Sequence, residues 1–191
     1  MSEIEQLPSK SVGRLSATLR SLGIEFAIVG GVAVGLVSTP RFTADVDAVL
    51  LDLDDRLEWF VAELLKAGYE SRAMDPIGLA RRTRVLTMRD ESGVGIDLML
   101  GLLPFDTDLV SNAVLATLSD ASTVPVASPG HLVVMKAVAW RPRDLDDIRE
   151  IVSVNPWVDW DAVVATFAEY AQLLEVPERV ASLKDLIGAS L

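Results

Sequence analysis

Two aspartates one residue apart, Asp45 and Asp47, close a stretch that reads FAIVGGVAVGLVSTPRFTADVD from Phe26 onward. In a strand, side chains at i and i+2 share a face, so both carboxylates point the same way. Two carboxylates aimed at one point repel each other unless a proton or a cation sits between them. With an oxygen-only ligand set, that cation is most naturally magnesium. Upstream, Gly30-Gly31 follows the apolar run Phe26–Val29. A glycine pair between a strand and a helix lets a phosphate approach the backbone N–H groups closely. The stretch thus combines metal carboxylates with a phosphate cradle.

Further along, charges stand where apolar residues are expected. Asp97 is the only charge in the strand-like run from Val94 to Leu100. Leu132 to Trp140 is apolar all round except for Lys136, and a lone ammonium there is costly unless it is paired or lies at a site opening. On the following helix Asp144 falls within the apolar face made by Ile148, Ile151 and Val152, with Asp147 on its border. Lys136, one helix back, is the available partner for Asp144. Phosphoryl-type chemistry needs such a set. Two metal ions about 3.5–4 Å apart, held by shared carboxylates, activate an attacking oxygen and neutralise the leaving pyrophosphate. A lysine then counters triphosphate charge.

The elements that must position these residues follow from periodicity and punctuation. Val12, Leu15, Leu19 and Leu22 recur at helical spacing and Gly23 stops that helix. A short strand, Glu25–Val29, enters the glycine pair, a buried helix spans Val32–Val37, and Pro40 ends it. Ala44–Leu51 has apolar residues on both faces and reads as a central strand. Asp54 is the expected N-cap of a helix through Lys66, and Ser71–Ala80 reads as irregular. Thr83–Arg89 and Val94–Leu100 form a hairpin across Asp90–Gly93. Asp106 or Thr107 caps a helix to about Leu115, and Thr123–Ala127 is a last strand. Ser128-Pro129 opens a helix, Arg141-Pro142 interrupts it, and a second runs to about Val154. Asp159 or Asp161 caps a third, and Pro177 starts a fourth. This layout is α+β: a mixed central sheet flanked by helices, with a C-terminal helical extension. The expected division is a core over residues 1–104 and a mostly helical part over 105–191.

Composition sets the outer bounds. The 191 residues carry a net charge of −11, no cysteine and a single histidine, His131. Disulfides and thiolate zinc sites are excluded, and a Ser-His-Asp triad is disfavoured. No apolar run approaches the roughly 18 residues needed to span a bilayer and no signal-peptide pattern opens the chain, so the expectation is a cytoplasmic protein without a membrane partner. The negative balance disfavours non-specific nucleic-acid binding. Against it stands a basic strip between Ser71 and Asp90, with Arg72, Arg81, Arg82, Arg84 and Arg89.

These residues resemble the nucleotidyltransferase superfamily that includes DNA polymerase β, and more closely the AbiEii/AbiGii toxin-type nucleotidyltransferases of type IV toxin–antitoxin and phage-abortive systems. The first shared motif is Gly30-Gly31 with Arg41-Phe-Thr43-Ala-Asp45-Val-Asp47, and the second is Ile96-Asp97-Leu98. The third is the lysine helix Lys136-Ala-Val-Ala139, and the fourth is Arg143-Asp144-Leu-Asp-Asp147-Ile148. The resemblance implies a nucleotidyltransferase fold and an NTP substrate, with Asp45, Asp47 and Asp97 binding Mg²⁺, two ions being expected. It also implies Asp97 as base for the acceptor hydroxyl, Gly30, Gly31, Arg41 and Thr43 at the nucleotide, Lys136 on phosphate, Asp144 orienting Lys136, and Asp147 in a secondary role. Many superfamily members carry Ser where Gly31 stands, so more of the phosphate contact is expected to fall to Arg41.

The expected reaction moves a nucleoside monophosphate from an NTP to a hydroxyl, with RNA, in particular a tRNA 3′ end, as acceptor. Arg81, Arg82, Arg84 and Arg89 are the candidates for steering RNA, and a cognate antitoxin is the expected protein partner. Two alternatives stand beside this reading. One is a small-molecule acceptor, as in the aminoglycoside and lincosamide nucleotidyltransferases, and the other is a nucleotide-binding module without turnover.

Overall fold

The protein is described by a computed structural model covering residues 8–40 and 43–191. It divides into two compact units, one running to Leu36 and resuming over Pro40–Ala127, the other holding Val37–Thr39 with Ser128–Leu191. The first unit extends past residue 104 because the segment that follows adds a helix and two strands to it.

The first unit opens with α1 (Ser9–Ser21), whose Val12, Leu15 and Leu19 are fully buried. Gly23, at φ +66°, turns the chain out of it. β1 (Phe26–Val29) is buried throughout and leads directly into α2 (Gly30–Val37). β2 (Asp45–Leu50) returns antiparallel to β1. α3 (Leu57–Lys66), β3 (Glu70–Ser71), α4 (Pro76–Thr83), β4 (Val85–Arg89) and β5 (Gly95–Leu100) follow. α5 (Pro104–Ser111), β6 (Val114–Thr117) and β7 (Thr123–Val126) complete the unit.

Among the described residues, seven strands form one mixed sheet in the order β3-β4-β5-β2-β1-β7-β6, with β2 at its middle. β2 pairs with β5 in parallel and β1 with β7 in parallel, while the remaining neighbours are antiparallel. Period-2 alternation gives the two central strands unequal faces. Val46, Ala48, Leu50, Ile96, Leu98 and Leu100 are buried on one face, whereas Asp45, Asp47, Asp97 and Met99 are only half-buried on the other. The carboxylates therefore stand on the accessible face of a core strand pair.

The second unit is helical: α6 (Pro129–Ala139), α7 (Pro142–Val154), α8 (Trp160–Leu173) and α9 (Glu178–Gly188). α6 packs on α7 and α8, and α9 packs on α7 and α8. Leu132, Val133, Ile148, Ile151, Phe167, Leu183 and Ile187 fill the middle. The Ser128 side chain accepts from the His131 N–H, with Pro129 in the first turn, and the Asp159 side chain accepts from the Ala162 N–H, so both caps stand where the sequence puts them. Among the described residues, no helix is long and apolar enough to cross a membrane.

Three local expectations are corrected. Residues 71–80 are irregular only over 72–75: Asp75 caps α4, accepting from the Gly78 N–H at 2.8 Å, with Pro76 in the first turn. That is the same start signal as Ser128-Pro129, masked in the sequence by Gly78, which breaks the apolar period. Asp54 caps nothing. Its carboxylate accepts from Arg84, and a 3₁₀ turn over Asp54–Arg56 precedes α3. α5 ends at Ser111 and begins after Leu103, with Asp106 reaching back to the Leu102 and Leu103 N–H groups at 2.9 Å; β6 follows as an edge strand with Val114 and Leu115 exposed.

The β4–β5 hairpin turn rests on Asp90, whose carboxylate accepts from the Ser92 N–H (2.9 Å), the Ser92 hydroxyl (2.6 Å) and the Val94 N–H (3.1 Å). Burial works to raise this carboxyl, but the hydrogen bonds from Ser11, Ser92 and Val94 outweigh it and hold it below its ordinary value. Removing the carboxylate leaves those donors without their acceptor, so Asp90→Ala is expected to lower unfolding stability by about 1–3 kcal/mol. Urea denaturation followed by circular dichroism checks this, and Glu91→Ala at the same turn serves as the control.

Candidate active site

Register brings the sheet unit's candidate residues together. Asp47 stands opposite Asp97 in the parallel β2–β5 pair and opposite Val29 in the β1–β2 pair. The next residue, Gly30, has φ +64°, a left-handed conformation that only glycine adopts without strain. A Cβ on Gly30 would lie 2.7 Å from Asp47 Cγ, inside the volume of the carboxylate. The same device recurs one strand over: Gly95 is opposite Asp45, and a Cβ there would lie 3.1 Å from Asp45 Cγ. Each glycine thus leaves the space into which one aspartate turns. Gly30 and Gly31 open α2 and are part-exposed, so their N–H groups face an accessible region.

The other candidates in the sheet unit stand as follows. The Asp97 carboxylate is ion-paired with the Arg72 guanidinium. The Thr43 hydroxyl donates to the Asp45 carbonyl at 3.4 Å, holding the start of β2. Arg41 lies outside the described residues. Among the described residues, no three acidic or histidine side chains are gathered closely enough to hold an ion as they stand. The donor chemistry nevertheless fits one: oxygen-only ligands on one face of two neighbouring strands, with glycine-made space beside two of them, suit a hard divalent cation.

A separate charged cluster lies within the helical unit, on α6 and α7. Lys136 is 8 % exposed, and its Nζ stands 3.0 Å from Asp144 Oδ1 and 2.7 Å from Asp147 Oδ2. The expected pairing with Asp144 is present, and Asp147 joins it. Its i+3 spacing from Asp144 puts both acids on one helix face, which the border position of Asp147 understated. Asp144 also accepts from the Arg141 N–H at 3.0 Å and Arg141 Nε at 2.7 Å. Burial pushes the Asp144 carboxyl up, but hydrogen bonds from Arg141 and Lys136 prevail and bring it from 3.8 down to about 2. The result is a buried ammonium held in one orientation by two carboxylates.

The basic strip is largely neutralised. Arg81 pairs with Glu58, Arg84 with Asp54 and Arg89 with Glu70. Arg84 also donates to the Leu100 carbonyl at 3.1 Å, a structural contact at the end of β5. Arg82 is exposed and has no acidic partner among the described residues. Arg72, read from the sequence only as part of the strip, is the member that reaches a site carboxylate.

Comparison with known proteins places this geometry. Residues 15–189 match the family described as nucleotidyl transferase AbiEii toxin, type IV TA system. The chain belongs to the AbiEii family. It is accordingly a nucleotidyltransferase enzyme acting on an NTP, of a toxin family that works within toxin–antitoxin pairs. No curated protein matches this AbiEii-family sequence. An antigenic nucleotidyltransferase-like protein from Paracoccidioides brasiliensis is 22 % identical with a TM-score of 0.55, over 92 % of this chain and 91 % of that one. The antibiotic-resistance factor ANT(2'')-Ia is 12 % identical with a TM-score of 0.61, over 89 % and 94 %. The lincosamide adenylyltransferase LnuA is 10 % identical with a TM-score of 0.54, over 78 % and 99 %. At these identities the likeness establishes the nucleotidyltransferase fold.

Two outcomes are expected. Gly30→Ala forces a left-handed alanine, costing about 1–2 kcal/mol, and displaces the Asp47 carboxylate; nucleotidyl transfer should fall at least about tenfold while circular dichroism shows a folded chain. Lys136→Met removes the ammonium shared by two buried carboxylates and should lower stability by about 3–5 kcal/mol. The Asp144 carboxyl is lower in the folded than in the unfolded chain, so its contribution is complete above pH 4 and lost as pH falls toward 2. Acid unfolding should accordingly begin at higher pH in Asp144→Asn than in the parent, and superimposable acid transitions would contradict the assigned pairing.

Proposed function

We propose that this enzyme is a Mg²⁺-dependent nucleotidyltransferase that transfers a nucleoside monophosphate from an NTP to the 3′-terminal hydroxyl of RNA. The carrying observation is the β2–β5 register that sets Asp47 beside Asp97, with Asp45 two residues away on the same face. In this reading Asp45, Asp47 and Asp97 hold the divalent ion. When bound, the ion supplies Lewis-acid stabilisation of the phosphoryl oxygens and of the departing pyrophosphate. The Gly30 and Gly31 N–H groups bind triphosphate oxygens, with Arg41 and Thr43 assigned to the same nucleotide. Asp97 accepts the proton of the attacking hydroxyl, as general-base chemistry on a carboxylate requires. Lys136, oriented by Asp144 and Asp147, is assigned to phosphate.

The RNA acceptor, with a tRNA 3′ end as the expected form, rests on membership of a toxin family, and Arg82 is the strip residue without an acidic partner among the described residues. A small-molecule hydroxyl is the second reading. It is favoured by the net charge of −11 and by the acidic partners of Arg81, Arg84 and Arg89. It is also consistent with the likeness to a lincomycin-bound adenylyltransferase and to ANT(2'')-Ia in complex with adenylyl-2''-tobramycin. A cognate antitoxin is the proposed protein partner.

Incubation with labelled NTPs, Mg²⁺ and total RNA decides between the readings. Labelling of an RNA band, lost in Asp47→Ala and abolished by chelation, is the expected result. Arg82→Glu should weaken RNA transfer several-fold without changing NTP affinity. Unlabelled RNA together with a modified aminoglycoside or lincosamide would establish the second reading. NTP-induced stabilisation with no transfer to either acceptor would mark a binding module.

A further inference from the structure

Arg72 is singled out by the company it keeps. Its strip neighbours pair with Glu58, Asp54 and Glu70, acids that belong to no part of the site, whereas its own guanidinium pairs with Asp97. The backbone arranges this. The Arg72 N–H donates to the Thr87 carbonyl at 3.0 Å, and Thr87 is the residue opposite Asp97 in the β4–β5 pair. Ser71 locks the same turn, its hydroxyl accepting from the Ala73 N–H at 3.0 Å and donating to the Ala73 carbonyl at 2.8 Å. Arg72 thus starts beyond β4, level with Asp97, and its side chain crosses β4 to reach the carboxylate.

The other end of the guanidinium points to the same location. A Cβ on Gly95 would meet both Arg72 Nη1, at 3.1 Å, and the Asp45 carboxylate. One guanidinium therefore stands beside two of the three aspartates assigned to the divalent ion. Carboxylates sharing a face raise one another's energy unless a positive charge compensates them. A planar guanidinium does this through directed N–H bonds that occupy the carboxylate lone pairs an incoming ion needs. Both partners are about one-third exposed, 34 % for Arg72 and 31 % for Asp97, so the exchange requires no opening of the core.

We propose that Arg72 is an internal counter-ion of the carboxylate face, competing with the divalent cation for Asp97 and withdrawing when that cation binds. This rests on Asp45, Asp47 and Asp97 being the metal ligands. It gives Arg72 a positioning role, because it sets how tightly the ion is held.

The test is Mn²⁺ binding to the full chain without nucleotide, read from the loss of the free-ion electron paramagnetic resonance signal. Arg72→Gln should bind Mn²⁺ about fivefold more tightly than the parent, the scale of removing one accessible ion pair, with Arg72→Lys between the two. An affinity unchanged or weakened in Arg72→Gln overturns the proposal. In the parent protein, where folding is not in question, the Arg72 Nε–H resonance should shift on saturation with Mg²⁺. A resonance that stays in place also overturns it. The double variant Arg72→Gln/Asp47→Asn separates the two layers: lost Mn²⁺ binding supports the carboxylate assignment, whereas retained tight binding places the ion elsewhere and removes the metal reading itself.

Discussion

The placing of acidic side chains on one face of two adjacent core strands is the constraint to which the sheet unit is fitted. Parallel pairing of β2 and β5 places Asp47 next to Asp97, an arrangement unfavourable in itself and reached only because the opposite faces of both strands are buried among aliphatic side chains. Gly30 and Gly95 supply the room, and each answers one aspartate. Hydrophobic burial on one face thus offsets electrostatic cost on the other, and local strain is avoided by glycine where any side chain would collide.

The helical unit solves a related problem differently. A buried ammonium is stable only with opposite charge at hydrogen-bond distance. Lys136 has two carboxylates, and one of these is itself anchored by Arg141. Among the described residues, Lys136 is thus shared by two buried carboxylates, and removing it costs both of them this contact, which ties the integrity of the unit to the residue assigned to phosphate.

Much of this was legible because it depends on local periodicity. Asp45 and Asp47 share a face in any strand, Ser128-Pro129 is a helix start whatever surrounds it, and the choice between Asp159 and Asp161 as the next cap falls to Asp159. The Lys136–Asp144 pairing followed from two charges on apolar helix faces. What escaped depends on contacts distant in sequence. Nothing near Asp54 announces that Arg84 will claim its carboxylate, and nothing near Arg72 announces Asp97. β3 is only two residues long and β6 has exposed apolar residues, so neither carries the alternation that marks a half-buried strand. α4 was missed although its Asp75-Pro76 start is a proper signal, since a glycine in the first turn broke the pattern.

The strand order has a kinetic side. β2 and β1 lie together early in the chain, but their outer neighbours β5 and β7 are parallel partners that arrive much later. Parallel pairing across such separations must meet its loop-closure entropy before any contact rewards it. During synthesis Asp45 and Asp47 leave the ribosome with their hairpin unflanked, and Asp97 joins them only after the intervening helices have been made. A nascent chain therefore has no complete carboxylate set until β5 has docked.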